Sequence, residues 1–115
     1  MQLKEIATLL KAEVLADCGG LDREIATVHA SDLISEVLAS CSRGALWLTG
    51  LLDHQIINTA ELFDLSAVVF VGNRKPSPAI VDAAKDDQIP LLLTALSMFE
   101  ACGILYANGF KSARR

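Results

Sequence analysis

Most of the chemistry this chain could offer is concentrated in Val71-Gly-Asn-Arg-Lys-Pro-Ser-Pro78. Gly72 and Asn73 are residue types that accept positive φ and so can turn backbone N–H groups outward. Arg74 and Lys75 add cations. Ser77-Pro78 has the form of a helix start, with a hydroxyl at the cap and proline at the first helical position. Backbone donors, a helix dipole and cations at one corner make a pocket for a small anion. Thr49 and Thr94, the polar residues that close two other apolar runs, are candidates to share it. An ordinary solvated loop capped by Ser77 would use the same residues.

Asp53-His54 is the other conspicuous pair. Adjacent residues at a helix start do not face each other, so Asp53 reads as the N-cap and His54 as a first-turn surface residue. The two would serve catalysis only in a site assembled across a dimer; as ligand contacts they stay on the candidate list. His29 lies at the end of a strand with no obvious carboxylate or cysteine partner near it in sequence. No Ser/His/Asp arrangement, Walker loop, GxGxxG or HExxH occurs, so no catalytic residue is assigned and no enzyme is expected. The three cysteines, Cys18, Cys41 and Cys102, are odd in number, widely spaced and outside any CxxC. That argues against a disulfide framework, a metal site or a cofactor, and suits a reducing cytoplasm. Cys102 sits in an apolar helical stretch and reads as a small buried hydrophobe.

The elements that must position these residues follow from periodicity. Leu3, Ile6, Ala7 and Leu10 predict a short helix over 2–11 with one buried face, and not a signal peptide. Residues 13–16 and 25–29 read as short strands around the turn Asp17-Cys-Gly-Gly20, whose glycines can take positive φ. Ser31 can cap a helix over 32–40. Three nearly continuous apolar runs follow at 45–49, 67–71 and 89–93, separated by helical patterns behind Asp53 and Ser77. A last short helix, 98–102, starts at Ser97 and stops at Gly103. Strand, helix, strand, helix, strand with short loops predicts a parallel sheet with right-handed crossovers. Runs apolar on both faces are what strands covered on both sides require. The expected fold is therefore α/β: one domain spanning 1–115, with a mostly parallel sheet of about five strands and helices on both faces. The first-half strands are expected at one edge, and 110–115 as a flexible basic tail. Ligands of open parallel sheets sit beyond the carboxyl ends of the strands, which gathers Thr49, residues 72–77 and Thr94 on one rim.

Composition narrows the partners. The chain has 115 residues, 52% hydrophobic but only 5% aromatic, which is enough for one aliphatic core without a metal or disulfide staple. A net charge of −4 disfavours nucleic acid. No apolar run is long enough to span a membrane. Mean hydropathy of +0.41 is high: either most apolar residues are buried on both faces of a sheet, or an apolar face is left for a partner, and on that apolarity a homodimer is expected. Trp47 reads as core, or as an interface anchor. Tyr106 and Phe110 are candidates for the dimer face or for sealing the sheet edge.

The opening helix, Glu13-Val-Leu15, Leu21-Asp-Arg23, residues 45–49, Val69-Phe-Val-Gly-Asn-Arg-Lys-Pro-Ser-Pro78, Ile89-Pro-Leu-Leu-Leu-Thr94, Met98-Phe99-Glu100 and Leu105-Tyr-Ala-Asn-Gly109 together resemble the DRTGG domain family. Of the naming motif, Asp53 and Gly72 are kept, with His54, Val71 and Asn73 at changed positions. The resemblance implies an α/β domain similar to the N-terminal domain of HPr kinase/phosphorylase, regulatory and dimer-forming. It supplies no catalytic residue. Short stand-alone members occur beside iron-only hydrogenase genes. The expected function is thus a non-catalytic, homodimeric regulatory or ligand-sensing module. Its ligand would be a small anion or nucleotide bound at Thr49, Asp53, His54, Gly72, Asn73, Arg74, Lys75, Ser77 and Thr94. The rival is an accessory subunit of a redox or phosphotransfer complex that binds no small ligand.

Overall fold

The computed structural model describes residues 1–114. Eleven elements follow one another: α1 (Leu3–Leu9), β1 (Glu13–Ala16), β2 (Thr27–Ala30), α2 (Ile34–Ser40), β3 (Leu46–Thr49), α3 (Gln55–Leu62), β4 (Ala67–Phe70), α4 (Pro78–Asp86), β5 (Leu91–Leu93), α5 (Met98–Ala107) and β6 (Lys111–Ser112). They form a single α/β domain around a six-stranded sheet of order β1-β5-β4-β3-β2-β6. All neighbours are parallel except β1, which runs antiparallel to β5.

Handedness decides which helix covers which face. From β2 to β5 the chain steps in one direction across the sheet, so right-handed crossovers place α2, α3 and α4 on one face. There Val37, Ile56, Ile57, Ala60, Ile80 and Ala84 bury against Trp47, Val68, Phe70 and Leu91. From β5 the chain returns across the whole sheet to β6, beyond β2. The direction is reversed, so α5 lies on the opposite face. It joins α1 there, with Ala101 and Leu105 beside Leu3, Ile6 and Leu10 over Leu46, Leu48, Val69 and Leu92. Every residue of β3, β4 and β5 is buried, as a two-sided cover demands. Trp47 is fully buried, and its indole Nε1–H donates to the Ser31 carbonyl at 3.0 Å.

Several local expectations change. The sheet has six strands where about five were expected. Of the two first-half strands only β1 takes an edge; β2 is interior. Residues 110–114 do not trail as a tail. Phe110 and Ala113 are buried, and Lys111–Ser112 pair with Thr27 and Val28; Arg115 lies outside the described residues. Ser31 does not cap a helix beginning at 32. Its hydroxyl accepts from Leu33 N–H at 3.0 Å, and α2 begins at Ile34. α5 runs through Gly103 to Ala107, because its apolar face continues to Leu105 and nothing else requires a break. At the Asp17–Gly20 turn positive φ falls on Cys18 and Gly19. Gly20 is required for a different reason: a Cβ there would stand 2.5 Å from the Pro90 ring. Among the described residues no helix is long and apolar enough to cross a membrane.

The Gly20 contact locks the β1–β2 connection against the start of β5. Gly20→Ala is expected to destabilise the fold by about 1–3 kcal/mol, the usual cost of overpacking. Urea unfolding followed by Trp47 fluorescence measures it; an unchanged midpoint would contradict this packing.

Candidate functional site

Parallel strands followed by helices put the β2–α2, β3–α3, β4–α4 and β5–α5 loops on one rim of the sheet. That brings Thr49, Asp53, His54, Gly72, Asn73, Arg74, Lys75, Ser77 and Thr94 to the same side. They are not equally available. Thr49 and Thr94 are buried, and both hydroxyls are engaged within the protein. Thr49 Oγ1 donates to Asp32 Oδ1 at 3.1 Å and accepts from Leu51 N–H at 3.1 Å. Thr94 Oγ1 donates to the Leu10 carbonyl at 2.7 Å and accepts from Leu96 N–H at 3.1 Å. The two threonines pin the rim loops; they do not face solvent.

Gly72 and Asn73 take φ of +67° and +58°, as their types suggest. Their N–H groups, however, are not turned outward. Gly72 N–H donates to the Leu96 carbonyl at 2.7 Å and Asn73 N–H to the Thr94 carbonyl at 2.9 Å. The left-handed pair ties the β4–α4 loop to the β5–α5 loop, so backbone donors at these positions are already taken. What remains for a ligand is side chains.

Those side chains differ from one helix start to the next. Asp53 Oδ1 accepts from Gln55 N–H at 2.9 Å, putting a carboxylate at the start of α3. Ser97 and Glu100 form a capping box on α5, and the hydrogen bond from Ser97 N–H, helped by the Ser97 side chain, holds the Glu100 carboxyl below its ordinary range. α4 is capped by the neutral Ser77 hydroxyl, with Pro78 at its first position. Its N-terminus is flanked by Arg74 and Lys75, which are exposed and in no ion pair among the described residues. Arg74 lies across Gly50 beside Asp32: a Cβ on Gly50 would be 3.3 Å from Arg74 Cδ and 3.7 Å from Asp32 Oδ1. Asp32 itself accepts Gly50 N–H at 2.7 Å. A groove of about 530 Å³ opens next to this corner, floored by Leu15, Pro76, Pro78 and Val81 and edged by Lys75, Lys85 and Asp82. His54 is exposed at the start of α3.

A second polar region was not foreseen. It lies at the β2–β6 edge of the sheet. On the α2 side it holds a cavity of about 470 Å³ lined by His29, Glu36, Ser40, Ser112 and Arg114 among others. His29 Nε2 is buried there with no hydrogen-bond partner among the described residues. Burial pushes the His29 imidazole below its ordinary pKa, and the Glu36 carboxylate pulls weakly the other way. A tail at 110–115 would leave no such region, whereas Lys111–Ser112 pair with β2 and build it. The sequence signal was the apolar spacing of Phe110 and Ala113 around Lys111-Ser112. No group of metal-ligating side chains forms among the described residues.

No family model matches the chain, and no curated protein does. Among solved structures, the fold is similar to the regulatory region of Clostridium perfringens pyrophosphatase, which comprises CBS and DRTGG domains and was solved with its activator, diadenosine tetraphosphate. The TM-score is 0.74 at 19% identity, covering 90% of this chain and 45% of that one. The chain thus spans less than half of that regulatory region. At this identity the likeness is one of fold.

The His29 environment has a pH consequence. The folded state favours neutral imidazole, so the unfolded chain takes up the proton first as pH falls. The His29 contribution is therefore intact above the ordinary histidine value near 6.5 and is lost as pH drops through the lower folded value. Unfolding midpoints measured from neutral to mildly acidic pH should decline less steeply in His29→Gln than in the wild type; identical slopes would contradict the burial of this ring.

Proposed function

We propose that the chain is a non-catalytic regulatory module of the DRTGG kind, homodimeric, that senses a small phosphorylated anion such as a nucleotide at the β4–α4 corner. One observation carries this reading. Of the rim helices α3, α4 and α5, α4 alone has no carboxylate in its first turn or at its cap, and it stands beside Arg74 and Lys75, which form no ion pair among the described residues. A helix N-terminus with neighbouring cations favours phosphate. The groove next to it, with its proline and aliphatic floor and the Lys75 and Lys85 ammonium groups at its edges, suits the flat, less polar part of such a ligand. The regulatory region that this fold resembles was solved with a multiply phosphorylated activator, which fits the same ligand class.

The reading assigns the module no chemistry of its own. The rim hydroxyls of Thr49 and Thr94 are bonded internally, and His54 and His29 belong to different regions, so among the described residues these four bring no nucleophile and base together. The rival reading, a docking subunit of a redox or phosphotransfer complex, is favoured by one other feature, the exposed aromatic side chains of α5.

Thermal unfolding in the presence of ADP, ATP or inorganic pyrophosphate tests the proposal. A ligand at about a hundredfold its Kd stabilises the fold by about 2.7 kcal/mol. The shift should disappear or shrink strongly in the Arg74→Ala/Lys75→Ala double variant, because each charge-assisted hydrogen bond contributes about 1.5–3 kcal/mol. Both residues are exposed, so the variant keeps its fold. A shift of undiminished size in the variant would refute the placement, and no shift with any of the three compounds would favour the docking reading.

A further inference from the structure

α5 is apolar all the way round, with Glu100 as its single charge. A helix of that kind is covered on every side or waits for a partner. Its inner side is covered, by Ala101 and Leu105 in the core. Its outer side is not: Phe99 is 87% and Tyr106 81% exposed. The chain has only six aromatic residues (one Trp, one Tyr, four Phe), so a third of them stand on this one face.

Phe99, Cys102, Gly103 and Tyr106 have the spacing i, i+3, i+4, i+7, which forms the four-cornered hole that a facing helix fills. Two corners are bulky, and they lie two turns, about 10.5 Å, apart along the axis. The two between them are small enough for a second backbone to come close. This arrangement is complementary to itself. If a second α5 lies antiparallel about a two-fold axis passing between residues 102 and 103, each Phe99 meets the partner's Tyr106. The small residues then meet at the crossing. A surface that mates with its own copy in this way makes a closed, isologous dimer.

The surface continues beyond the helix. A largely apolar groove of about 260 Å³ runs from Cys102, Leu105 and Tyr106 to Val28, Ala30 and Phe110 at the β2–β6 edge, where α5 leaves the sheet face short of cover. The four aromatics of a symmetric pair would remove roughly 600–800 Å² from water. With the small residues at the crossing and the groove rims, the total comes to the ~1,000 Å² that a specific interface needs. The sparse charge on this side, in a chain of net charge −4, also matches the depletion of charge at interface centres.

We infer that the outer face of α5, centred on Phe99, Cys102, Gly103 and Tyr106, is where a second copy of this chain docks, with the two α5 helices antiparallel. The inference rests on the homodimer of the functional reading and gives it a surface.

Sedimentation of the full chain over a wide concentration range, alongside cross-linking, tests it. The wild type should sediment as a dimer. Phe99→Glu, at a position that contributes almost nothing to the core, should weaken dimerisation by about thirtyfold or more, as expected for a central aromatic, with an unchanged far-UV spectrum. Tyr106→Ser should act in the same direction. A short bis-maleimide, applied at mildly alkaline pH because burial raises the Cys102 thiol pKa, should join two copies through Cys102, and Cys102→Ser should abolish the product. A dimer of undiminished affinity in both Phe99→Glu and Tyr106→Ser, or one cross-linked through Cys18 but not Cys102, would overturn this surface and leave the homodimer standing. A wild-type chain that stays monomeric at every concentration would overturn both.

Discussion

β3, β4 and β5 have no position that tolerates water. All eleven of their residues are buried, and ten of them are apolar. Both faces of the sheet must therefore be roofed by helices, and the right-handed crossover decides how. Three steps in one direction put α2, α3 and α4 on one face, and the long return to β6 forces α5 onto the other. Only α1, seven residues long, is there to help α5. One face has three helices over it and the other has two. The uncovered groove beside β2 and β6 and the bare outer side of α5 both lie on the thinner side.

The same constraint builds the rim. Because the central strands are parallel, their polar ends collect on one side, and the loops there have to be fixed without a core of their own. Hydrogen bonds do this: Asp32 bridges the β2–α2 and β3–α3 loops through Thr49 and Gly50, and Leu96 and Thr94 carbonyls receive Gly72 and Asn73. A rim fastened this thoroughly has few donors left over. Arg74 and Lys75 are conspicuous because they are outside that network, at a helix start which carries no negative charge.

The central strands were legible in the sequence because a strand buried on both faces announces itself as an apolar run, and the helix starts at Ser77 and Ser97 because caps are local chemistry. Other features depend on residues far apart in the chain. Asp32 leaves the helix start predicted at Ser31 because Thr49 and Gly50, which parallel pairing of β2 and β3 brings alongside, offer it better donors. Lys111–Ser112 is too short to show a period and becomes a strand only because Val28 presents an open edge. Gly103 ends nothing, since the core face of α5 continues past it to Leu105. At the candidate site the residue types at 72–75 were readable, and the left-handed backbone at Gly72 and Asn73 was as expected. Which N–H groups would be occupied was not, because the acceptors belong to the loop after β5.

The central claim is that the β4–α4 corner binds a phosphorylated anion through side chains. Amide chemical-shift mapping during titration with ADP is the most direct test. The account predicts saturable changes clustered at Arg74, Lys75, Ser77 and the first turn of α4, with His29 and Arg114 at the β2–β6 edge unmoved. Changes confined to the β2–β6 crevice, or none at saturating ADP, would contradict it.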